Sequence, residues 1–301
     1  MQSLYAYSQS MNDNLVSEEK FLLKSMDEMY DLFLLLLDLM VEVKNNAQDY
    51  LEKSQLKHLP SEEERDPNRK FVNNELIALL ENNSSLRNAL EARKLNHWKQ
   101  DNEYVDILWS ELRESELFSS YMSTRESSYK EDKEFVINVY KEIIAPNEKL
   151  YDYLEDKKLT WLDDFPLVNT AILKMLQKLK PGKEHAITRL FKNEEDKEYA
   201  VQLFRKTLLN DQELEAEMEG KTPNWDKERI AELDTILIKM ALCEFLKFPS
   251  IPVKVTINEY LEIAKEYSTP KSSIFINGIL DKLSREYNES GKLNKMGRGL
   301  L

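Results

Sequence analysis

The chain predicts an all-α fold, and three observations carry that expectation. Six glycines and nine prolines in 301 residues are too few for the many tight reversals of a strand-rich protein. Leu, Glu, Lys and Asn are abundant, and apolar residues recur every three or four positions, the spacing that gives a helix one buried face. A hydrophobic content of 42% with 32% charged residues is that of an ordinary globular chain, long enough to bury one large core or two small ones.

Taken in order, Leu4–Gln9 reads as a short helix and Asn12–Asn14 as a polar break able to cap the next one. From Ser17 to about Lys53, Phe21, Leu22, Met26, Met29, Phe33, Leu36, Leu37 and Met40 fall at helical spacing, as in a helical bundle. The run Leu32–Val41 is interrupted by Asp38 and bounded by Asp31 and Glu42. It falls short of the roughly 20 apolar residues a membrane span requires and predicts a buried core helix. No signal peptide is expected, because Met1–Tyr5 has no basic flank leading into an apolar core.

His58–Arg69 concentrates Pro60 and Pro67 with a run of charge and reads as a loop. Helices are expected at Phe71–Leu80, Ser84–Lys94 and Asn102–Tyr121, with a second polar break at Ser123–Lys130. Beyond it lies an internal repeat. Glu131–Trp161 aligns with Glu195–Trp225 at a constant offset of 64 with eight identical pairs, and after a one-residue slip Asn169–Met175 matches Asp234–Met240. Duplicated units of this kind leave apolar faces that pack on neighbours, so two related helical subdomains are expected. The organisation this implies is N-terminal helices over 1–57, a helical insertion over 58–130, a first repeat copy over 131–190, a C-terminal helical region over 191–285 and a flexible basic tail over 286–301.

The C-terminal region holds the most specific patterns. In Ile251–Lys265, Pro252 pre-sets a helix entry, and Val255, Leu261, Ile263 and Ala264 supply much of its buried stripe. Ser268–Pro270 then break the chain, Ser272 or Ser273 can cap a second helix, and Gly278 reads as a point of close packing.

Catalysis finds little support in the sequence. His58, His97 and His185 are scattered, with no Cys or carboxylate at metal-ligand spacing, so no metal site, cofactor site or catalytic residue is assigned. Cys243, the single cysteine, lies in an apolar helix and reads as a small buried hydrophobe; it excludes an intramolecular disulfide and fits a cytoplasmic setting. The acidic clusters Ser61–Asp66, Glu194–Asp196 and Glu213–Glu219 read as solvated faces, and Gly297-Arg298-Gly299 lacks the strand and helix of a phosphate loop. A net charge of −13 repels a polyanion at long range, so any nucleic-acid contact must be local. The most basic stretch is Lys282, Arg285, Lys292, Lys295 and Arg298.

The helix pair, with its Asn258-Glu259 and Phe275-x-Asn277-Gly278 elements, resembles the C-terminal half of the NusB family of bacterial transcription antitermination factors. Upstream, Leu233-Asp234, an apolar run, Lys239, Ala241-Leu242 and Glu244 resemble a helix of the same family at the expected distance, so the likeness is strong over about Glu195–Arg285. The resemblance implies an RNA-binding adaptor of NusB-type helical-bundle fold, without enzymatic activity. Such an adaptor binds boxA-type single-stranded RNA together with the small-subunit ribosomal protein NusE, in an antitermination complex on RNA polymerase that keeps transcription of ribosomal RNA operons processive. It also implies candidate RNA-binding residues Gln2, Tyr5, Lys239, Lys271, Phe275 and Asn277, and a partner groove with Tyr5, Glu228 and Asp234.

Two departures bear on function. Ile274 stands where the family often has Lys, with Lys271 three residues earlier as a substitute. The family's first helix opens with arginines before a Gln-x-Leu-Tyr element, whereas here Gln2-Ser3-Leu4-Tyr5 follows Met1 directly. Either an upstream segment supplies those arginines or this chain does without that anchor. Losing each phosphate contact on a single strand reduces the salt slope by roughly 0.7. The alternative is a protein-binding helical scaffold of the same fold that has lost RNA binding with its arginine-rich start.

Overall fold

Asn14 starts the longest element: its side-chain oxygen accepts from the Ser17 amide, and the helix runs Leu15–Gln55. The computed structural model describes residues 1–10, 14–59, 61–183, 185–219 and 231–300. The elements in chain order are α1 (Gln2–Gln9), α2 (Leu15–Gln55), α3 (Glu62–Arg65), α4 (Glu75–Glu81), α5 (Ser84–Ala92), α6 (His97–Gln100), α7 (Glu103–Glu114), α8 (Glu116–Tyr121) and α9 (Tyr129–Val139). They continue with a π turn (Tyr140–Ile144), α10 (Glu148–Lys157), a 3-10 turn (Leu159–Asp164), α11 (Phe165–Lys178), α12 (Glu194–Leu209), α13 (Asp211–Met218), α14 (Glu232–Lys247), α15 (Val253–Tyr267), α16 (Ser272–Glu289) and a 3-10 turn (Gly297–Leu300). Among the described residues there is no strand, and the protein is all-α.

These elements form two compact units, Met26–Leu190, and Met1–Ser25 with Phe191–Leu301. In the Met26–Leu190 unit, Leu32, Leu34, Leu35, Leu37 and Leu39 of α2 have no solvent exposure, which is the burial expected for Leu32–Val41. An aromatic cluster packs beside them: Phe71 stacks on Trp109 with ring centroids 5.8 Å apart, and Tyr121 on Phe135 at 3.8 Å. The buried Asp132 carboxylate accepts from the Tyr121 hydroxyl at 2.5 Å, the Ser127 hydroxyl and the Glu75 amide at 2.7 Å, tying α4, α8 and α9 together. Short helices are punctuated by side-chain caps, with Asn74, Asn83, Ser115, Ser128 and Asn147 each accepting from an amide of the first turn. The expected loop His58–Arg69 contains one extra turn, α3, because Ser61 and Glu64 close a capping box.

In the other unit, α14 is the hub: α1, α12, α13, α15 and α16 all pack on it. Leu237, Ile238, Ala241, Leu242 and Cys243 of α14 are fully buried, as the apolar reading of Cys243 requires, and burial pushes the thiol pKa up to about 11. Leu4 of α1 joins the same core. The segment after α16, read from sequence as a flexible basic tail, folds back onto this unit. The Met296 amide donates to the Pro249 carbonyl at 2.9 Å, and a Cβ on Gly299 would lie 2.0 Å from that oxygen.

The two repeat segments place helices at matching positions, α9 with the π turn against α12, α10 against α13, and α11 against α14. Burial agrees pair by pair: Val139 with Leu203, Tyr140 with Phe204, Leu150 with Leu214, Ile172 with Leu237 and Met175 with Met240 are all buried. Trp161 has no solvent exposure, while its counterpart Trp225 lies outside the described residues.

Three local expectations need correction. Phe21 is 44% exposed, Leu15 and Leu22 being the residues of that part of α2 that pack on the core, and Val255 is 45% exposed because the buried stripe of α15 runs through Thr256, Tyr260 and Ala264. Neither Ser272 nor Ser273 caps α16: Lys271 holds that place, and Ser272 is buried inside the first turn. Gly278 is not a close-packing point, since a Cβ there meets nothing within 4 Å.

Candidate nucleic-acid interface

The sequence motif of α14 is a set of structural keys. Asp234, 5% exposed, accepts from the Ser268 hydroxyl at 2.7 Å, and Ser268 is in turn 2.9 Å from the Ser272 hydroxyl, so the starts of α14 and α16 meet the end of α15. Lys239 is held by Asp211 at 2.6 Å and Glu215 at 3.5 Å on α13, its side chain only 13% exposed. Glu244, 4% exposed, accepts from Thr256 and Tyr260 at 2.8 Å each, and from Tyr199. Burial and the facing carboxylate raise the pKa of both tyrosines, so both remain hydroxyl donors.

The same end of this unit receives α1. Ser8 and Gln9 donate to the Glu232 carboxylate at 2.7–2.8 Å, and the Ser8 hydroxyl also caps the Tyr5 carbonyl at 2.7 Å. Tyr5 is 42% exposed one turn back along α1, and Gln2 is half-buried at the helix start. Exposed Lys271 lies at the start of α16, followed by half-buried Phe275, which packs on the core, and exposed Asn277. Ile274, 75% exposed, and the open space over Gly278 complete an uncovered face on α16. The structure therefore gathers the ends of α1, α14, α15 and α16, with Tyr5, Asp234, Lys271 and Phe275 on those segments, and directs Lys239 instead toward α13. Glu228 lies outside the described residues.

Sequence reasoning missed how the positive charge is spent. The acidic cluster Glu213–Glu219, expected to be a solvated face, is an ionic seam: besides the Lys239 contacts, Glu213 takes Lys247 at 3.0 Å, and Glu217 takes Lys292 and the Tyr287 hydroxyl. Lys295 donates to the Glu244 and Phe248 carbonyls at 3.0 Å each, capping the end of α14, and burial lowers its pKa. Arg285 pairs with Asp281 at 2.6 Å within α16. The signal that could have found the seam is spacing, since Asp211 and Glu215 stand one turn apart on a single helix face.

Among the described residues no group of three or more His, Cys, Asp or Glu is placed to hold a metal ion, and no helix is long and apolar enough to cross a membrane. The unit is organised around α14, and the face of α16 with Lys271, Ile274, Asn277 and Gly278 is exposed. Residues 168–285 match the sequence model of the NusB family. The transcription antitermination protein NusB of Salinibacter ruber (strain DSM 13855 / M31) is 42% identical over 119 residues, 39% of this chain and 74% of the relative. That of Chloroherpeton thalassium (strain ATCC 35110 / GB-78) is 40% identical over 105 residues, 35% of this chain and 50% of the relative. That of Koribacter versatilis (strain Ellin345) is 35% identical over 128 residues, 40% of this chain and 88% of the relative. No solved structure matches. The chain belongs to the NusB family.

Proposed function

We propose that this protein is a transcription antitermination adaptor that binds boxA-type single-stranded RNA together with the ribosomal protein NusE and acts by binding, without turnover. The observation that carries the reading is the uncovered face of α16, with Lys271 and Asn277 exposed and open space above Gly278, at the end of the unit where α1 brings Tyr5. A half-buried aromatic in a firmly packed helix, Phe275, gives a base a platform at little entropic cost. Lys271 supplies a phosphate partner where Ile274 does not. Asp234 contributes to the NusE groove mainly by fixing Ser268 and the helix ends around it, and Tyr5 offers an exposed ring beside that groove.

The remaining RNA candidates take smaller parts in this reading. Gln2 lies on α1 near Tyr5, and Lys239 acts through its hold on α13. The test is titration of a boxA-like RNA into the full chain, with and without NusE, at two salt concentrations. Salt-sensitive binding that needs NusE and drops about tenfold in Phe275→Ala, as loss of one stacked base should give, supports the reading. NusE binding with no RNA affinity in either form overturns it in favour of the protein-only scaffold, to which the 75% exposed Ile274 would be better suited.

A further inference from the structure

A cavity of about 450 Å³, open to solvent on one side, lies away from the family residues and is lined within the Met26–Leu190 unit. One wall is α2, where Asp38 and Glu42 stand one turn apart and flank the apolar stretch Leu39–Val41. The remaining lining carries exposed Arg87, Glu91 and Lys94 on and just after α5, with exposed Lys99 from α6. Leu80, Leu90 and the buried Trp98 make an apolar floor. The volume falls within the range typical of small-ligand pockets, roughly 300–1,000 Å³.

Three further observations mark this cavity as a built site. No hydrogen bond or ion pair among the described residues joins its acidic wall to its basic side, although the charges are opposite and both lie in reach of the same space. Glu81, at the edge, is satisfied by Lys44 at 2.8 Å. Lys94 has φ +56°, at the position after a helix end where glycine is the unstrained choice, and the Leu95 amide closes the turn on the Leu90 carbonyl at 2.9 Å. A lysine kept there at a conformational cost projects a cation over the cavity.

We propose that this cavity binds a small zwitterion with an apolar body, of the α-amino-acid or dipeptide class, its ammonium on Asp38 and Glu42 and its carboxylate on Arg87 and Lys94. The ammonium meets the Asp38 and Glu42 carboxylates, the carboxylate meets the two cations that flank Glu91, and the side chain covers Leu80, Leu90 and Trp98. Burial and the neighbouring Glu42 raise the Asp38 pKa to about 7, with Lys99 opposing, and a ligand ammonium against it would lower it. The two sizes of ligand share this chemistry, and titration with each distinguishes them.

The experiment titrates the full chain with L-leucine, L-leucyl-L-leucine, leucinamide and 4-methylpentanoate, reading the Asp38 carboxyl by NMR and the melting temperature. Either zwitterion should bind, raise the melting temperature and lower the Asp38 pKa, while the amide and the acid alone should bind about tenfold or more weakly, as expected for one lost charge-assisted contact. Lys94→Gly relieves the backbone strain, so it should fold at least as well as the parent and yet lose about tenfold in affinity; Asp38→Asn should lose the ammonium contact. Leucine binding with no response to the dipeptide identifies the amino acid as the ligand, and the reverse identifies the peptide. No binding of either zwitterion, or equal binding by Lys94→Gly and Asp38→Asn, overturns the proposal. RNA binding by the same samples reads the antitermination function separately.

Discussion

In the unit built around α14, Glu244 collects hydroxyl hydrogen bonds from Tyr199, Thr256 and Tyr260, and Asp234 takes one from Ser268. In the Met26–Leu190 unit, Asp132 plays the part of Glu244, with Tyr121, Ser127 and the Glu75 amide as donors. The second unit nonetheless keeps two carboxyls in poor surroundings. Asp38 faces the cavity beside Glu42, and Asp164, 6% exposed, has an oxygen with no hydrogen-bond partner and lies near Asp163 and Glu28. Both have pKa values raised to about 7, burial being the main cause. The difference teaches that a buried acid is a fastener only when donors surround it; without them it is a titration site.

The sharpest way to break this comparison is Glu244→Ala. Three hydroxyls would be left facing an apolar void, a loss of about 3–5 kcal/mol, while Glu244→Gln, which keeps an accepting oxygen, should lose clearly less. Urea unfolding of the full chain measures both. Equal, small losses would show that the tyrosine and threonine hydroxyls find other partners and that the carboxylate is no hub.

The next effect is pH dependence, and it belongs to the other unit. A carboxyl whose folded pKa is about 7 against an ordinary 3.8 keeps its proton when folded and sheds it when unfolded, so the stability it allows is complete below about pH 4 and is lost as pH rises to 7. For Asp38 and Asp164 together the loss is on the order of a few kcal/mol. Trp98, Trp109 and Trp161, three of the four tryptophans, lie in this unit, so fluorescence-detected melting reports on it. Asp164→Asn should flatten that pH profile over the same window, and an unchanged slope would remove Asp164 as its source.

The contrast between the units also explains what sequence could and could not reveal. Apolar spacing placed the buried run Leu32–Val41 and the α14 core, because a helical stripe is local and periodic. The α14 pattern of Asp234, Lys239 and Glu244 was legible as a family mark but not as three fasteners, since the donors come from Ser268, Tyr199, Thr256 and Tyr260, at separations that no local rule connects. The Glu213–Glu219 run looked like a solvated face for the same reason: Lys247 and Lys292 are distant in sequence. Val255 and Gly278 were misjudged because a helix shows its period in the sequence while only its neighbours decide which face is covered.

Gly278 gives the smallest effect and the most direct probe of the uncovered face. It sits inside α16 with open space where a Cβ would go, so Gly278→Ala should stabilise the protein by about 0.5–1 kcal/mol through the unfolded chain's lost freedom. The open space over Gly278 leaves room for another backbone to approach this face. The substitution should then raise the melting temperature slightly while weakening boxA-like RNA binding in the presence of NusE. Stabilisation with unchanged RNA affinity would place the RNA on another face, and the search would move along α1 toward Tyr5.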